Sequence, residues 1–518
     1  MGGARPYLLI ILIGLLLYSS AAFFGFSYLD DNILILENHE FISKLSNIAE
    51  AFKQDVFHVL HEYDAAYRPL LTVSFIIDTQ LDKFFGLGYH FTNIILHLIG
   101  SCLVFLLFLK LKYSRSLAFS FALIFTVHPV LTETVAWIPG RNDSLLGIFV
   151  LASFIYLLEF LERGKWAYYT GHILFFVLAL FTKETAPALL VVALFYYSFV
   201  FKGVLLSRKQ KKLFIGWLFS LAFWLILRGY ALSYNPVKLS FVTLLRDLAL
   251  GAPAFFVYIG KVIMPFDLSI IPTIEDSAVI YGIAAVLIIT LGLYFSKKKR
   301  YGFILIGLVW FLSFLTPTFI RPVPGASTIF LESRIYLPIL GIFIILGEID
   351  AVKSITFKNI RALLAVMVIT GSLFCISINY SSRFQNALEF WEYAVKRSPH
   401  SALAQASLGW VYDMQLRYDE AETRFKKALA LNPYQRYAHN SLGLIYERKG
   451  LLEKAEAEYI MEIENTPYYN GSRINLANLY FRQGKEEKAA ALWKEALRAN
   501  PEDMYVRNML KACYDRHH

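Results

Sequence analysis

The chain has 518 residues, 57% hydrophobic and 16% aromatic, with only 17% charged and a mean hydropathy of +0.50. That composition excludes an ordinary soluble enzyme and describes a membrane protein that carries a soluble part. The formal net charge of +10 is no sign of nucleic-acid binding. Much of the surplus lies in short loops between apolar runs, at Lys110/Lys112/Arg115, Arg208 to Lys212 and Lys297 to Arg300, where positive charge orients helices.

An uncharged stretch runs from Pro6 to Leu29. A 22-residue apolar helix spans about 33 Å, enough to cross a bilayer. The run is too long for a typical signal peptide and no clean A-x-A site follows, so a retained helix is predicted. Asp30 and Asp31 stand where it emerges. Ionised carboxylates at a membrane surface are functional candidates by default, although such a pair also serves simply to end a helix. The following residues 30–68 are acidic overall, with Glu62 and Asp64 among the carboxylates and Arg68 at the end. They are predicted to lie outside.

Further spans are predicted near 89–109, 116–138, 143–161, 167–182, 185–201, 212–230, 277–296, 301–320, 329–349 and 361–380. The loops beginning near Lys110, Arg163, Lys202, Lys297 and Lys353 are short and basic, hence cytoplasmic. Residues 240–264 are apolar but carry Arg246, Asp247, Pro253 and Lys261. A crossing there would put the Lys297–Arg300 cluster outside, so this segment is read as re-entrant or interfacial. The result is eleven crossings, the N-terminus inside and the C-terminus outside. Cys102, Cys375 and Cys513 are too scattered for a disulfide framework or a metal cluster.

With this topology the unusual polar residues gather on one side. They are Asp30/Asp31, Tyr67-Arg68-Pro69, His90, Asn93, His128-Pro129, Arg141, Asp143, Lys183-Glu184, Arg321 and Glu332/Arg334/Tyr336. Each has a plainer reading. His90, Asn93 and His97 share a helical face and serve equally as hydrogen-bonding glue between helices. Arg141 would snorkel to the interface, and Lys183-Glu184 would pair at a hairpin tip. Together they suggest an outward-facing polar cavity.

From Ser381 on, no run could span. A 34-residue period covers 402–435, 436–469 and 470–503, with markers Leu408/Gly409/Tyr412/Ala421/Phe425/Ala428/Pro433 recurring at each step. This is the pattern of tetratricopeptide repeats. Glu462, where the other units have alanine, is the clear departure and suggests a locally wetter contact. Ala387, Trp391, Ala394 and Pro399 fit the second helix of a partial preceding unit, 381–401, and a closing helix is expected at 502–515. The fold class is all-α: a polytopic membrane domain over 1–380, then a tetratricopeptide solenoid over 402–518.

No G-x-x-x-x-G-K-[ST], H-E-x-x-H or cysteine-pair metal motif is present. One carboxylate and one cation suffice to move a sugar from a lipid-phosphate carrier. The carboxylate takes the acceptor's proton, and the cation holds a phosphate that leaves readily as an anion.

The order YLDDNILILEN, YRPLL, YHFTNIILH, VHPVLTETVAWIPGRND, KET, ESRIYLP and then the repeats resembles the transmembrane-and-tetratricopeptide-repeat protein O-mannosyltransferases and their prokaryotic relatives, in the GT-C glycosyltransferase superfamily. The resemblance implies a polyprenyl-phosphate-linked mannose donor, a Ser/Thr hydroxyl acceptor on a secretory or periplasmic protein, and inversion at the anomeric carbon. It places Asp30 and Asp31 at the catalytic carboxylate positions. Arg141 and Arg334 become candidates for holding the donor phosphate or forming the site, alongside Arg68, His128, Lys183, Glu184, His90 and Glu332. The expected partners are the lipid-linked sugar, the bilayer, and a protein acceptor or assembly partner on the repeats, with no nucleic acid. No cofactor is certain, and a divalent metal is left open. The repeats are expected outside the cytoplasm, or in the lumen of a eukaryotic endoplasmic reticulum. The rivals are a glycolipid or polysaccharide transferase of the same superfamily and a non-catalytic membrane-anchored repeat scaffold.

Overall fold

The computed structural model describes all residues except 1–2, 61–65, 82–85, 205–206, 233–239, 321–329, 468 and 516–518; Glu62, Asp64 and Arg321 therefore lie outside the described residues. Among the described residues the chain is helical without a strand, and it divides into two compact units, residues 1–390 and 391–518.

The first unit contains α1 (Arg5–Tyr18), α2 (Pro69–Leu81), α3 (Leu87–Lys110), α4 (Arg115–Val127), α5 (Thr132–Ala136), α6 (Arg141–Arg163), α7 (Trp166–Leu180) and α8 (Ala188–Phe195). There follow α9 (Arg208–Ala231), α10 (Phe241–Ile263), α11 (Val279–Phe295), α12 (Tyr301–Leu315), α13 (Pro338–Leu346) and α14 (Ile360–Ser381). Among the described residues, seven helical stretches are long and apolar enough to cross a membrane, or eight if the bent pair α4 and α5 forms one span. The expected spans at 167–182, 185–201, 277–296 and 329–349 hold shorter helices. The expected span 116–138 is broken by a 53° bend. Pro129 is the cause, since the residue before proline is pushed out of the helical region, and His128 there is extended at φ −74°, ψ 122°.

Charge marks one end of this unit. Glu159 takes Lys110 and, at 2.6 Å, Arg163. Glu348 takes Arg300 at 2.6 Å and Lys353 at 2.7 Å, and Arg300 also reaches the Leu111 carbonyl. Lys209, at the start of α9, donates to the Leu161 carbonyl at 2.7 Å. The basic loops 110–115, 163–165, 297–300 and 348–353 thus share one end.

Segment 240–264 is a continuous helix, α10, rather than a re-entrant loop, and it passes the same length and composition test as the other six. Its last turn lies at the opposite end, where Lys261 meets Glu332 and the Val262 carbonyl meets His128. α9 starts at the basic end and α11 finishes there, with the Lys297 N–H on Asp350 at 2.7 Å. α10 packs on α11 with almost no side chain between them. A Cβ on Gly282 would stand 1.9 Å from the Phe256 carbonyl oxygen, and one on Gly260 would stand 2.7 Å from the Gly282 nitrogen.

The second unit continues from α15 (Ala387–Arg397), whose Trp391 and Ala394 are buried. It stacks α16 (Ala402–Met414) with α17 (Tyr418–Leu431), α18 (Ala438–Arg448) with α19 (Leu452–Asn465), and α20 (Asn470–Arg482) with α21 (Glu486–Ala499), closed by α22 (Met504–Asp515). Ala421, Ala455 and Ala489 are fully buried against Phe425, Tyr459 and Trp493, so each pair is packed by one small and one large residue. The period also repeats in charge: Arg448 pairs with Asp413, and Arg482 with Glu447.

Glu462 is not in a wet contact. It is 1% exposed, and its carboxylate accepts the Tyr437 N–H at 3.0 Å and the Asn440 N–H at 3.2 Å. Tyr437 begins α18 in the left-handed region, at φ 64°, with no side-chain cap of its own. Glu462 supplies from α19 the acceptor that a capping serine or aspartate would otherwise provide.

The α10–α11 contact yields a paired prediction. Gly282→Ala should destabilise the protein by about 1–3 kcal/mol or more, as overpacking does. Gly371→Ala, whose Cβ would meet nothing within 4 Å, should be neutral or stabilising by roughly 0.5–1 kcal/mol. Thermal midpoints of the two purified variants against the parent check this.

Candidate functional site at the acidic end

The turn after α1 is held by strain and its compensation. Tyr28 (φ 60°) and Asp30 (φ 66°) are both left-handed, a conformation that costs an L-residue roughly 1–2 kcal/mol and gathers at functional sites. Asp31 Oδ2 locks the turn by accepting the Ser27 N–H at 2.7 Å and the Ser27 hydroxyl at 2.9 Å. The Trp137 indole donates to the Leu29 carbonyl at 2.8 Å. Asp31 is 1% exposed and its Oδ1 has no partner. Burial pushes its carboxyl up to about 7, with Asp30's charge adding to the rise and Ser27's donors opposing it. Asp30 is half-buried. The two neighbours thus differ in kind: Asp31 anchors the turn from inside, and Asp30 is presented.

Three consecutive residues at the start of α6 organise the rest. Arg141 is fully buried. It meets Asp78 of α2 at 2.5 Å, the Asn93 side chain at 2.8 Å, the Tyr89 carbonyl at 2.7 Å and Ser74 at 3.2 Å, and it lies over the Phe75 ring. The Asn142 amide, oriented to satisfy both neighbours, donates to the Thr182 carbonyl and accepts from Arg68, each at 3.0 Å. Asp143 takes the Lys183 ammonium at 2.6 Å. Arg68 is itself paired with Glu184 at 3.1 Å.

These pairs bring three cations together. Burial lowers the Lys183 pKa, Asp143 opposes this, and the charges of both Arg68 and Arg334 lower it further. Arg68 in turn feels Glu184, Asp143 and Asp30. Arg334 donates to the Thr318 carbonyl at 3.3 Å and stands within Coulomb range of Glu133. Asp30 thus acts electrostatically on Arg68, and Arg68 and Arg334 on Lys183. A half-buried cluster of cations sharing a few carboxylates is a place for a polyanion.

Several sequence candidates have other work. Arg141 neither snorkels nor offers a donor to a phosphate, because its guanidinium is committed to protein partners; it forms the site by holding α2, α3 and α6 together. His128 accepts the Val130 N–H and meets the Val262 carbonyl at 2.9 Å, which caps the turn after the bend. His90 is 1% exposed, edge-on to Phe24. With Asn93, which bonds the Trp137 and Ile138 carbonyls, and His97, which bonds Tyr336 and the Thr126 carbonyl, it is helix-joining glue. Glu332 is fully buried on Lys261 at 2.6 Å and the Ser269 N–H at 2.8 Å.

Two carboxylates escaped sequence reading. Asp78 is a lone charge inside the apolar run of α2, and such a residue demands a partner. Glu133, held by the Ser333 N–H at 2.9 Å, follows five residues after His128 in a motif whose histidine and arginine drew the attention. Among the described residues, no group of three or more His, Cys, Asp or Glu side chains could hold a metal ion.

Tetratricopeptide-repeat family models match residues 407–470 and 472–503. The chain is similar to the protein O-mannosyl-transferases of the TMTC type. It is 24% identical to the Caenorhabditis elegans protein O-mannosyl-transferase F38B6.6 over 82% of this chain and 63% of that protein. It is 30% identical to Drosophila melanogaster protein O-mannosyl-transferase Tmtc1 over 33% of this chain and 20% of that protein. The chain thus spans less than two thirds of the length of these relatives. Among solved structures, MamA is 23% identical, covering 30% of this chain and 88% of MamA, with a TM-score of 0.22.

Two predictions follow from the geometry. Arg141→Gln leaves Asp78 buried without its cation and should destabilise the protein by about 3–5 kcal/mol, read as a lower thermal midpoint in detergent. Asp31's carboxyl lies above its unfolded value of 3.8. Its contribution is therefore fully present below about pH 3.8 and lost as pH rises through about 7. The thermal midpoint should decline from about pH 4 to about pH 7 and level off above it, and Asp31→Asn, which stays neutral, should flatten that decline.

Proposed function

We propose that this membrane protein is a glycosyltransferase that moves a sugar, mannose on the strength of its relatives, from a polyprenyl phosphate to a hydroxyl of a protein acceptor. The observation that carries the reading is the start of α6, where Asn142 holds Arg68 and Asp143 holds Lys183 side by side, with the charge of Asp30 acting on Arg68 and that of Arg334 on Lys183. It sets a presented carboxylate and a phosphate-sized demand for negative charge in one place.

Asp30 takes the proton from the acceptor hydroxyl as its oxygen attacks the anomeric carbon. The bond from that carbon to the phosphate oxygen breaks, and its electron pair leaves with the phosphate. The carrier departs as polyprenyl phosphate with its added charge held by Arg334 and Lys183. Attack opposite the leaving group inverts the anomeric carbon. Asp31, holding the turn through the Ser27 N–H and hydroxyl, positions Asp30. Arg68, clamped by Glu184 and Asn142, fixes the near side of the cluster.

The basic end faces the cytoplasm by the positive-inside bias. Eleven crossings then put residues 30–68 and the repeats on the opposite, extracytoplasmic side, where the repeats present acceptor or assembly partners.

The test is transfer by the purified chain in sealed, natively oriented vesicles supplied with polyprenyl-phosphate-mannose and a Ser/Thr peptide library outside, read by mass spectrometry. Asp30→Asn should reduce turnover by roughly 10²–10⁴-fold while leaving the thermal midpoint unchanged. Near-normal transfer by this variant removes Asp30 from the mechanism, and no mannosyl peptide from the parent returns the chain to the scaffold reading.

A further inference from the structure

Three consecutive residues ahead of Arg334 are each gripped by a side chain from another element. The Leu331 carbonyl accepts the Tyr258 hydroxyl at 2.8 Å. The Glu332 carboxylate takes the Lys261 ammonium at 2.6 Å and the Ser269 N–H at 2.8 Å. The Ser333 N–H donates to Glu133 of α5 at 2.9 Å. Tyr258, Lys261, Glu133, Glu332 and Ser333 are each 3% exposed or less, whereas Arg334 is half-buried. Its own N–H returns to the Leu331 carbonyl at 3.3 Å. A single carbonyl oxygen therefore joins the Tyr258 hydroxyl to the backbone of Arg334.

Local structure does not require these holds. Glu332–Ile335 is one 3₁₀ turn, too short to fix by itself where a side chain points. The grip comes from α10, on which Tyr258 and Lys261 stand three apart on one face. Gly260, between them, is pressed against Gly282 of α11, and the Val262 carbonyl meets His128. That turn of α10 is thus a fixed post. A buried ammonium–carboxylate pair is a poor stabiliser, since an apolar pair of similar volume does as well or better. What it secures is direction. Arg334 is delivered to the Thr318 carbonyl and to within Coulomb range of Lys183, and a misplacement of about 1 Å in such a site costs roughly 10²-fold in rate.

We infer that Tyr258 and Lys261 of α10 are positioning residues for the anion site, acting through Leu331 and Glu332 to aim Arg334 at the lipid phosphate. Glu133 holds the third point of the same turn. The inference rests on the proposed function for the identity of that phosphate.

The experiment is a double-mutant cycle on the full chain in detergent. It is read as retention of polyprenyl phosphate in native mass spectrometry, and as kcat with the donor and acceptor KM in the transfer assay. Tyr258→Phe removes only the hydroxyl. Lys261→Met combined with Glu332→Gln removes the ion pair and keeps an acceptor for the Ser269 N–H. Each should weaken retention and raise the donor KM by roughly three- to tenfold, the worth of one hydrogen bond, with the acceptor KM unchanged. Arg334→Gln should weaken retention by roughly ten- to hundredfold. In that background neither change should add to the loss, because both act through the missing guanidinium. Tyr258→Phe keeps the ring and its packing, and carries the test if the other variant fails to fold.

Parental retention by the Tyr258 and Lys261/Glu332 variants overturns the inference, as does the same further loss in the Arg334→Gln background. A lower kcat with parental donor KM and retention marks a merely structural role and overturns it too. Parental retention by Arg334→Gln overturns it while leaving Asp30 to its own assay. The expected pattern of retention in a chain that transfers nothing leaves the positioning role standing and removes the proposed function.

Discussion

Everything at the acidic end depends on the buried pair between Arg141 and Asp78. A guanidinium without solvent is tolerable only when its donors are met, and here one carboxylate, two side-chain oxygens and a carbonyl meet them. That requirement draws α2, α3 and the start of α6 to one point. Once Arg141 is placed, Asn142 and Asp143 have no freedom: one joins Arg68 to the Thr182 carbonyl, the other holds Lys183. The cations that are exposed to chemistry are thus positioned by one that is not.

The same economy separates the two adjacent aspartates. In a uniformly wet turn Asp30 and Asp31 would be equivalent carboxylates. Burial of one and presentation of the other gives them different environments, the arrangement by which a pair of carboxyls divides its tasks. The left-handed backbone at Tyr28 and Asp30 is what allows two neighbours in sequence to face such different surroundings.

Local signals were legible and paired ones were not. The 34-residue repeat, the first apolar helix with its aspartates, the common end of the basic loops and the glue role of His90, Asn93 and His97 all follow from periodicity or charge within one segment. Arg141 with Asp78, Lys261 with Glu332, and Glu133 with Ser333 join residues far apart in the chain, and no spacing announces them. Arg141 looked like a phosphate ligand because sequence shows a charge but not whether it is already spent. Segment 240–264 looked re-entrant because it carries Arg246, Asp247, Pro253 and Lys261 and because a crossing there would put the Lys297–Arg300 cluster outside. In the fold Lys261 is neutralised in place, and Gly260 serves a close helix contact, so the helix runs through.

Glu462 bears on how this array evolves and can be engineered. Tetratricopeptide units are often treated as interchangeable modules, cut at the loop between one pair of helices and the next. Here the second helix of the middle unit reaches back to begin its own first helix, through the Tyr437 and Asn440 N–H groups. The two halves of that unit are therefore a single heritable block. A chimaera joined between residues 437 and 462 would separate a helix from its cap, whereas junctions outside the block would carry the cap along. Duplication or loss of repeats within such arrays is expected to respect that seam.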